Sequence, residues 1–280
     1  MNKLTLYLVA TPIGNLNDIT PRALQMLREA DFIAAEDTRH TLKLLNHFDI
    51  KKPMVSYFEH NKRERGEYIV SRIEKGETCA LVTDAGTPAI SDPGEDIVKL
   101  CAEKGIDVVP IPGACAFVQA LIVSGLPTGR FSFEGFLSVN KPARKAHLEE
   151  IKELRQTLIF YEAPHKLKAT LKDLLNALGN RKIAVVKELT KIHESVLRTN
   201  LEEANKYFEE NQPKGEYVLV VEGFVPVFEE AELTDEDIVS KVNSLISEGM
   251  DKKSAIKETA SVLNLPKRQV YELMISNKED

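Results

Sequence analysis

The chain has 280 residues, 43% of them hydrophobic and 29% charged, with 37 basic against 43 acidic side chains and a net charge of −6. That length exceeds one minimal domain and predicts two with a small appendix, in the composition of an ordinary globular protein. A chain that coats RNA by phosphate neutralisation alone is usually basic, so the balance counts against that function while leaving room for an enzyme with a local basic groove or a shaped particle as substrate.

In chain order, Leu4–Val9 reads as a first strand buried on both faces, preceded by no long apolar core of a secretory signal. No segment reaches the roughly 18–20 apolar residues of a membrane span, so a cytoplasmic location is expected. Thr20 before Pro21 predicts the cap of a helix over 21–30. Strands follow at 32–35 and 54–57, with a helix over 41–48 between them, then a helix over 65–75 stopped by Gly76. A strand at 78–83, a helix over 95–104 and a strand at 108–111 continue the alternation, which predicts a mostly parallel sheet covered by helices. A helix over 114–124 and the turn-rich GLPTGR lead to a second set: strands at 131–136, 158–161, 183–188, 195–198 and 217–222, and helices at 143–155, 166–178 and 201–208. VPVFEEAEL, 225–233, reads as a linker. Beyond it Thr234 and Asp237 predict a capping box, Gly249 a helix stop, and two further helices follow at 254–263 and 267–275, joined by an NLP turn. Cys79, Cys101 and Cys115 fit no zinc spacing and are expected as core residues in a reducing compartment.

Four segments rich in Gly, Pro, Asp and Thr fall just after predicted strands, where parallel sheets bind ligands: ATPIGNLNDITPRA (10–23), AEDTRH (35–40), TDAGTPAISDPG (83–94) and IPGACA (111–116). Each also has a structural reading. The first and fourth suit ordinary turns, and Asp37 or Thr38 suits a helix cap. The third matches neither a Walker A loop nor GxGxxG. It exposes backbone groups, and its carbonyls suit a cationic ligand at least as well as a phosphate.

Together with FYEAPHK (160–166), ELTKIHE (188–194) and GEYVLVVEG (215–223), these segments resemble the tetrapyrrole methylase superfamily, and within it the branch that methylates the ribose 2′-oxygen of a cytidine in small-subunit (16S) ribosomal RNA. The first loop is TPIGN and the third AGTP, where tetrapyrrole-modifying relatives carry GxGxGD-like and GDP-type loops; the departure favours RNA. The resemblance implies two α/β domains of the tetrapyrrole methylase type, 1–118 and 119–225, with S-adenosylmethionine in the interdomain cleft. It also implies a linker and a small helical, helix-turn-helix-like domain at 226–280, and a homodimer. By the same resemblance Pro12, Asp84, Ala85, Gly86, Thr87, Ile90, Cys115, Ala116, Glu162, Leu189 and Thr190 are expected to hold the cofactor.

A ribose hydroxyl is a weak nucleophile and must lose its proton, so a base or a polarising cation is expected nearby. The catalytic candidates are Glu36, Asp37 and Arg39, with a carboxylate taking the proton and Arg39 and Lys191 holding phosphate. Asn15, His165, Lys191, Lys62, Arg63 and Arg65 are the candidates for substrate binding, and His193 and Glu194 stand beside them. The basic stretches HNKRERGEY and KPARKAH read either as a rim for RNA phosphates or as solvated faces. Tyr57, Phe58 and Tyr161 read as base-stacking or core residues. No metal is expected. Two other functions compete: a tetrapyrrole C-methyltransferase, and a nucleic-acid-binding regulator in which SAIKETASVLNLPKRQVYEL forms a helix-turn-helix.

Overall fold

The computed structural model describes residues 4–226, 234–263 and 265–276. The expected linker at 225–233 lies outside the described residues from 227 onward, as does Asn264 of the NLP turn. The chain divides into two compact units, Met1–Phe224 and Val225–Asp280.

The first unit contains two sheets. In the first, β1 (Thr5–Val9), β2 (Phe32–Ala35), β3 (Met54–Ser56), β4 (Cys79–Val82) and β5 (Asp107–Ile111) are all parallel, in the order β3-β2-β4-β1-β5. Their strands are near-continuous apolar runs because both faces are covered. Leu6, Phe32, Ala34, Cys79 and Leu81 face α3 (Lys62–Glu74) and α4 (Glu95–Glu103). Val9, Ile33, Ala35, Ala80, Val82 and Ile111 face α1 (Pro21–Glu29) and α2 (Thr38–His47). The Thr20 hydroxyl caps α1 by accepting from Ala23 N, with Pro21 at the first helical position.

The second sheet is mixed. It contains β6 (Phe131–Phe136), β7 (Thr157–Glu162), β8 (Lys182–Lys187), β9 (Ser195–Asn200) and β10 (Tyr217–Val221), ordered β6-β7-β10-β8-β9. Only β6 and β7 run parallel; β10 is antiparallel to both of its neighbours. Leu158, Phe160, Ile183, Val185 and Leu219 point to a core with α6 (Lys141–Ile151), α7 (Leu167–Leu178) and α8 (Leu201–Glu210). The alternate residues Ile159, Ala184, Val186, Val218 and Val220 point to α5 (Ala116–Ser124) and to Ile13 of the first loop. The position expected as a domain boundary, 118/119, falls inside α5.

The second unit is three helices: α9 (Asp235–Ser247), α10 (Lys252–Val262) and α11 (Lys267–Ser276). They pack on Ile238, Val242, Ile256, Val270 and Met274. Thr234 and Asp237 form the capping box of α9. No helix among the described residues is long and apolar enough to cross a membrane.

Candidate active site

The loops at the C-terminal ends of β1, β2, β4 and β5 are bound to one another through the third of them. Thr11 exchanges both backbone hydrogen bonds with Gly86, at 2.9 and 3.0 Å. Asp37 N donates to Asp84 Oδ1 (3.1 Å), and Asp84 N donates to Glu36 Oε2 (3.4 Å). The Thr87 hydroxyl donates to Ala114 O (3.0 Å). Gly113 closes the fourth loop onto β1: a Cβ there would lie 2.8 Å from the Cβ of Ala10. Five non-glycine residues among those described have positive φ, and four of them, Ala89, Ser91, Glu188 and Thr190, lie on the third loop and on the β8–β9 loop. Such strain persists where surrounding contacts over-determine it, and it concentrates at ligand sites.

These two loops border a cavity of about 490 Å³ against the inner face of the second sheet. Ile13, residues 85–87 and 90–92, Cys115 and Ala116 form one side. Phe136, residues 161–165, Val186, Glu188, Leu189 and residues 216–218 form the other. The volume is that of a site for an ordinary organic ligand. Ile13, Ile90, Val186, Leu189 and Val218 make apolar surface, and Asp92, Glu162, Glu188 and Glu216 bring carboxyl groups. Among the described residues this wall holds no lysine or arginine. The donor set therefore suits an amphipathic organic cation and not a bare phosphate.

Eight of the eleven residues expected at a cofactor lie on the wall: Ala85, Gly86, Thr87, Ile90, Cys115, Ala116, Glu162 and Leu189. Pro12, Asp84 and Thr190 do not, although each adjoins a residue that does. Glu162 is buried and fixed: Oε1 accepts from Ala163 N at 2.8 Å and Oε2 accepts from the Thr170 hydroxyl, which itself accepts from Arg144 Nη2 at 2.8 Å. Tyr161 Oη accepts from Phe117 N (3.1 Å), and burial pushes its phenol up.

The other candidates are spread more widely. His165 is on the wall. Lys191 sits behind it, its Nζ 2.9 Å from Glu188 Oε1 and 2.8 Å from Glu216 Oε2. Asn15 caps the 3-10 turn Leu16–Asp18 by accepting from Asn17 N. Lys62 lies between Glu59 (2.7 Å) and Asp96 (2.8 Å) and, with Arg63, borders a separate groove of about 390 Å³. The Arg65 guanidinium lies over the Tyr68 ring at 5.9 Å.

Glu36, Asp37 and Arg39 are absent from the cavity wall. Asp37 caps α2 and pairs through both carboxylate oxygens with Arg39, whose hydrogen bonds hold its carboxyl down at about 2. Arg39 itself is 89% exposed at the side chain. Burial pushes the Glu36 carboxyl up, helped by the charges of Asp84 and Asp37 and opposed by the hydrogen bond from Asp84 N.

Asp92 is the residue that sequence reasoning passed over. It is half-buried on the cavity wall, with no hydrogen bond or ion pair among the described residues. Burial first, then the charges of Glu36 and Asp84, push its carboxyl up to about 7. Its place in SDPG, on a loop already singled out, was the only signal in the sequence. A cleft carboxyl perturbed by burial and by neighbouring charge is a candidate acid or base.

The family model for Tetrapyrrole (Corrin/Porphyrin) Methylases matches residues 5–205. The protein of Synechocystis sp. named ribosomal RNA small subunit methyltransferase I is 48% identical over 276 residues, covering 98% of this chain and 99% of its own. The protein of the same name from Halalkalibacterium halodurans is 52% identical, over 97% of this chain and 95% of its own. Among solved structures, diphthine synthase superposes with a TM-score of 0.61 at 19% identity, over 83% of this chain and 95% of that one. A cobalt precorrin-4 methyltransferase superposes with a TM-score of 0.58 at 18% identity, over 78% and 95% of the two chains. At those identities the superpositions show the fold alone. The chain belongs to the tetrapyrrole methylase family, in the group of its ribosomal RNA small subunit methyltransferase I relatives.

Proposed function

We propose that this protein transfers the methyl group of S-adenosylmethionine to the ribose 2′-hydroxyl of a cytidine in 16S ribosomal RNA, within the small subunit. The observation that carries the reading is the near full-length likeness to relatives named for small-subunit ribosomal RNA. The acidic net charge favours the assembled particle over naked RNA as substrate. A cytoplasmic homodimer is the form in which we expect it to act.

The cavity suits the cofactor in size and in its pairing of apolar wall with carboxyl groups. Bound there, S-adenosylmethionine supplies an electrophilic methyl carbon on a sulfonium. Ile13, Ile90 and Leu189 would pack its apolar parts, backbone groups at 85–87 and 115–116 would take its polar edges, and Glu162 would hold positive charge. Glu162 is held in place for this by Thr170 and Arg144.

Asp92 would accept the proton of the 2′-hydroxyl as its oxygen takes the methyl carbon, the methyl–sulfur bond breaking so that the sulfonium leaves as a neutral thioether. Asp92 faces the cavity, lacks a competing partner among the described residues and is half-ionised near neutral pH. Burial first, then the charges of Glu36 and Asp84, keep its proton affinity high enough for that task. Asp37, held as an anion by Arg39, shapes the start of α2. Arg39, exposed at its side chain, would contact an RNA phosphate.

The test is transfer of labelled methyl to small subunits that lack this modification, followed by nuclease digestion. Label in a 2′-O-methylated cytidine of 16S RNA is expected. Absence of transfer by protein that binds the cofactor would refute the reading and turn attention to tetrapyrrole substrates.

A further inference from the structure

We infer that Phe136 is the stacking platform for the nucleobase of the nucleotide being methylated, presented at the cavity by a β-bulge in β6. The inference rests on the ribosomal RNA reading above.

In a regular strand Phe133 and Phe136 would point to opposite faces. The register of β6 on β7 shifts between Phe133 and Gly135: Phe133 opposes Ile159, Gly135 opposes Phe160 and Phe136 opposes Tyr161. The extra residue puts Phe136 on the face of Phe133 and Tyr161, toward the cavity. Bulges at sheet edges re-aim side chains in this way, and β6 is an edge strand. Gly135 adopts φ +61°, and a Cβ there would lie 3.4 Å from Ser91 Oγ, so the bulge abuts the third loop one residue before Asp92.

The ring is held but not covered. It meets the Tyr161 ring at 5.5 Å and 61°, and it stays 56% exposed. Phe133 behind it is stacked on Phe117 at 4.5 Å. Of the Phe and Tyr rings that the described residues bring to the wall, only Phe136 is exposed. A 2′-hydroxyl that enters the cavity to reach Asp92 brings its nucleotide against this wall, and a nucleotide drawn out of an RNA stack loses its base neighbours. Proteins that read single-stranded RNA recover that loss by stacking the base on an aromatic side chain. A Phe face recognises any base plane and reads no edge, so this platform supports reactivity and not the choice of cytosine over uracil. The other ring able to lie there is the adenine of the cofactor.

Phe136→Leu keeps apolar bulk and removes the aromatic face, and Phe136→Trp keeps the face. Both variants are compared with the wild type for kcat/KM on small subunits and for cofactor Kd. Loss of one base–aromatic stack predicts about a 10- to 100-fold fall in kcat/KM for Phe136→Leu, equal for cytidine and uridine at the target, with cofactor Kd unchanged. Phe136→Trp is expected within about threefold of wild type. Wild-type turnover in Phe136→Leu would overturn the inference. So would weakened cofactor binding, which assigns the ring to adenine, or failure of Phe136→Trp to restore activity, which assigns a shape role. Failure of the wild type to methylate small subunits would refute the parent reading and is visible in the control.

Discussion

Asp92→Asn keeps the shape of the side chain and removes its ability to take a proton. General-base catalysis contributes about 10²- to 10⁴-fold. Removing it should therefore lower kcat by that factor, which is roughly 3–5 kcal/mol of barrier. In the wild type the active form is the carboxylate, with its carboxyl near 7, so turnover should rise with pH through about 7 and level off above it. Glu36→Gln removes one of the two charges that raise Asp92, so the acid limb should move to lower pH. The same shift bears on stability, with a definite sign. A carboxyl raised from its ordinary 3.8 to about 7 opposes folding when ionised. That penalty is absent below the unfolded value, grows between the two, and is complete above 7. Moving the carboxyl that far corresponds to at most about 4 kcal/mol; screening of its exposed part leaves roughly 1–2 kcal/mol. Asp92→Asn should thus be less active yet more stable at pH 8, and the stability gain should vanish toward pH 4. Labelled-methyl transfer across pH 5.5–9, paired with thermal melts, measures both. Full turnover of Asp92→Asn at pH 7 with cofactor bound would refute the assignment.

Arg181 is buried and donates to the carbonyls of Leu178, Glu222 and Lys152, so Arg181→Met should destabilise the first unit by about 2–4 kcal/mol in denaturant melts, because buried carbonyls lose their donors. Thr234→Ala breaks the α9 capping box and should lower the stability of the helical unit by about 1 kcal/mol, read as reduced amide protection in α9 by hydrogen exchange. Removing Lys62, Arg63 and Arg65 together should weaken binding to small subunits and flatten its dependence on salt, most through the arginines because Lys62 is already paired with Glu59 and Asp96. An unchanged salt slope would return that stretch to an ordinary solvated face.

Much of the architecture was legible because its signals are local. The cap at Thr20 and the capping box at Thr234 are read from a few adjacent residues, and the alternation of apolar runs with amphipathic stretches announced α/β layers. Boundaries were less legible. α3 begins at Lys62 where 65 was expected, because its first turn is charged and Asn61 makes no side-chain cap bond. α6 spans Lys141–Ile151 where 143–155 was expected, because Asn140 caps it early and the chain turns through Leu154 N to Ile151 O before β7. The mixed order of the second sheet was beyond sequence, since pairing of β10 between β7 and β8 depends on strands far apart in the chain.

The site divides in the same way. The sequence by itself determined that loops at 10–23, 35–40, 83–94 and 111–116 follow strands, and that motifs at 160–166 and 188–194 belong with them. Only the tertiary structure decided which of their side chains share a cavity. Asp92 acquires its proton affinity from burial, from Glu36 on the loop after another strand, and from Asp84 on its own loop. Asp37, read as an acid–base candidate, lies off the cavity wall, and Arg39 two residues along holds its carboxyl low. Phe136 reaches the cavity through a one-residue bulge that leaves no mark on hydrophobic periodicity. Burial, field and register are properties of neighbours in space, and a chain read in order shows only neighbours in sequence.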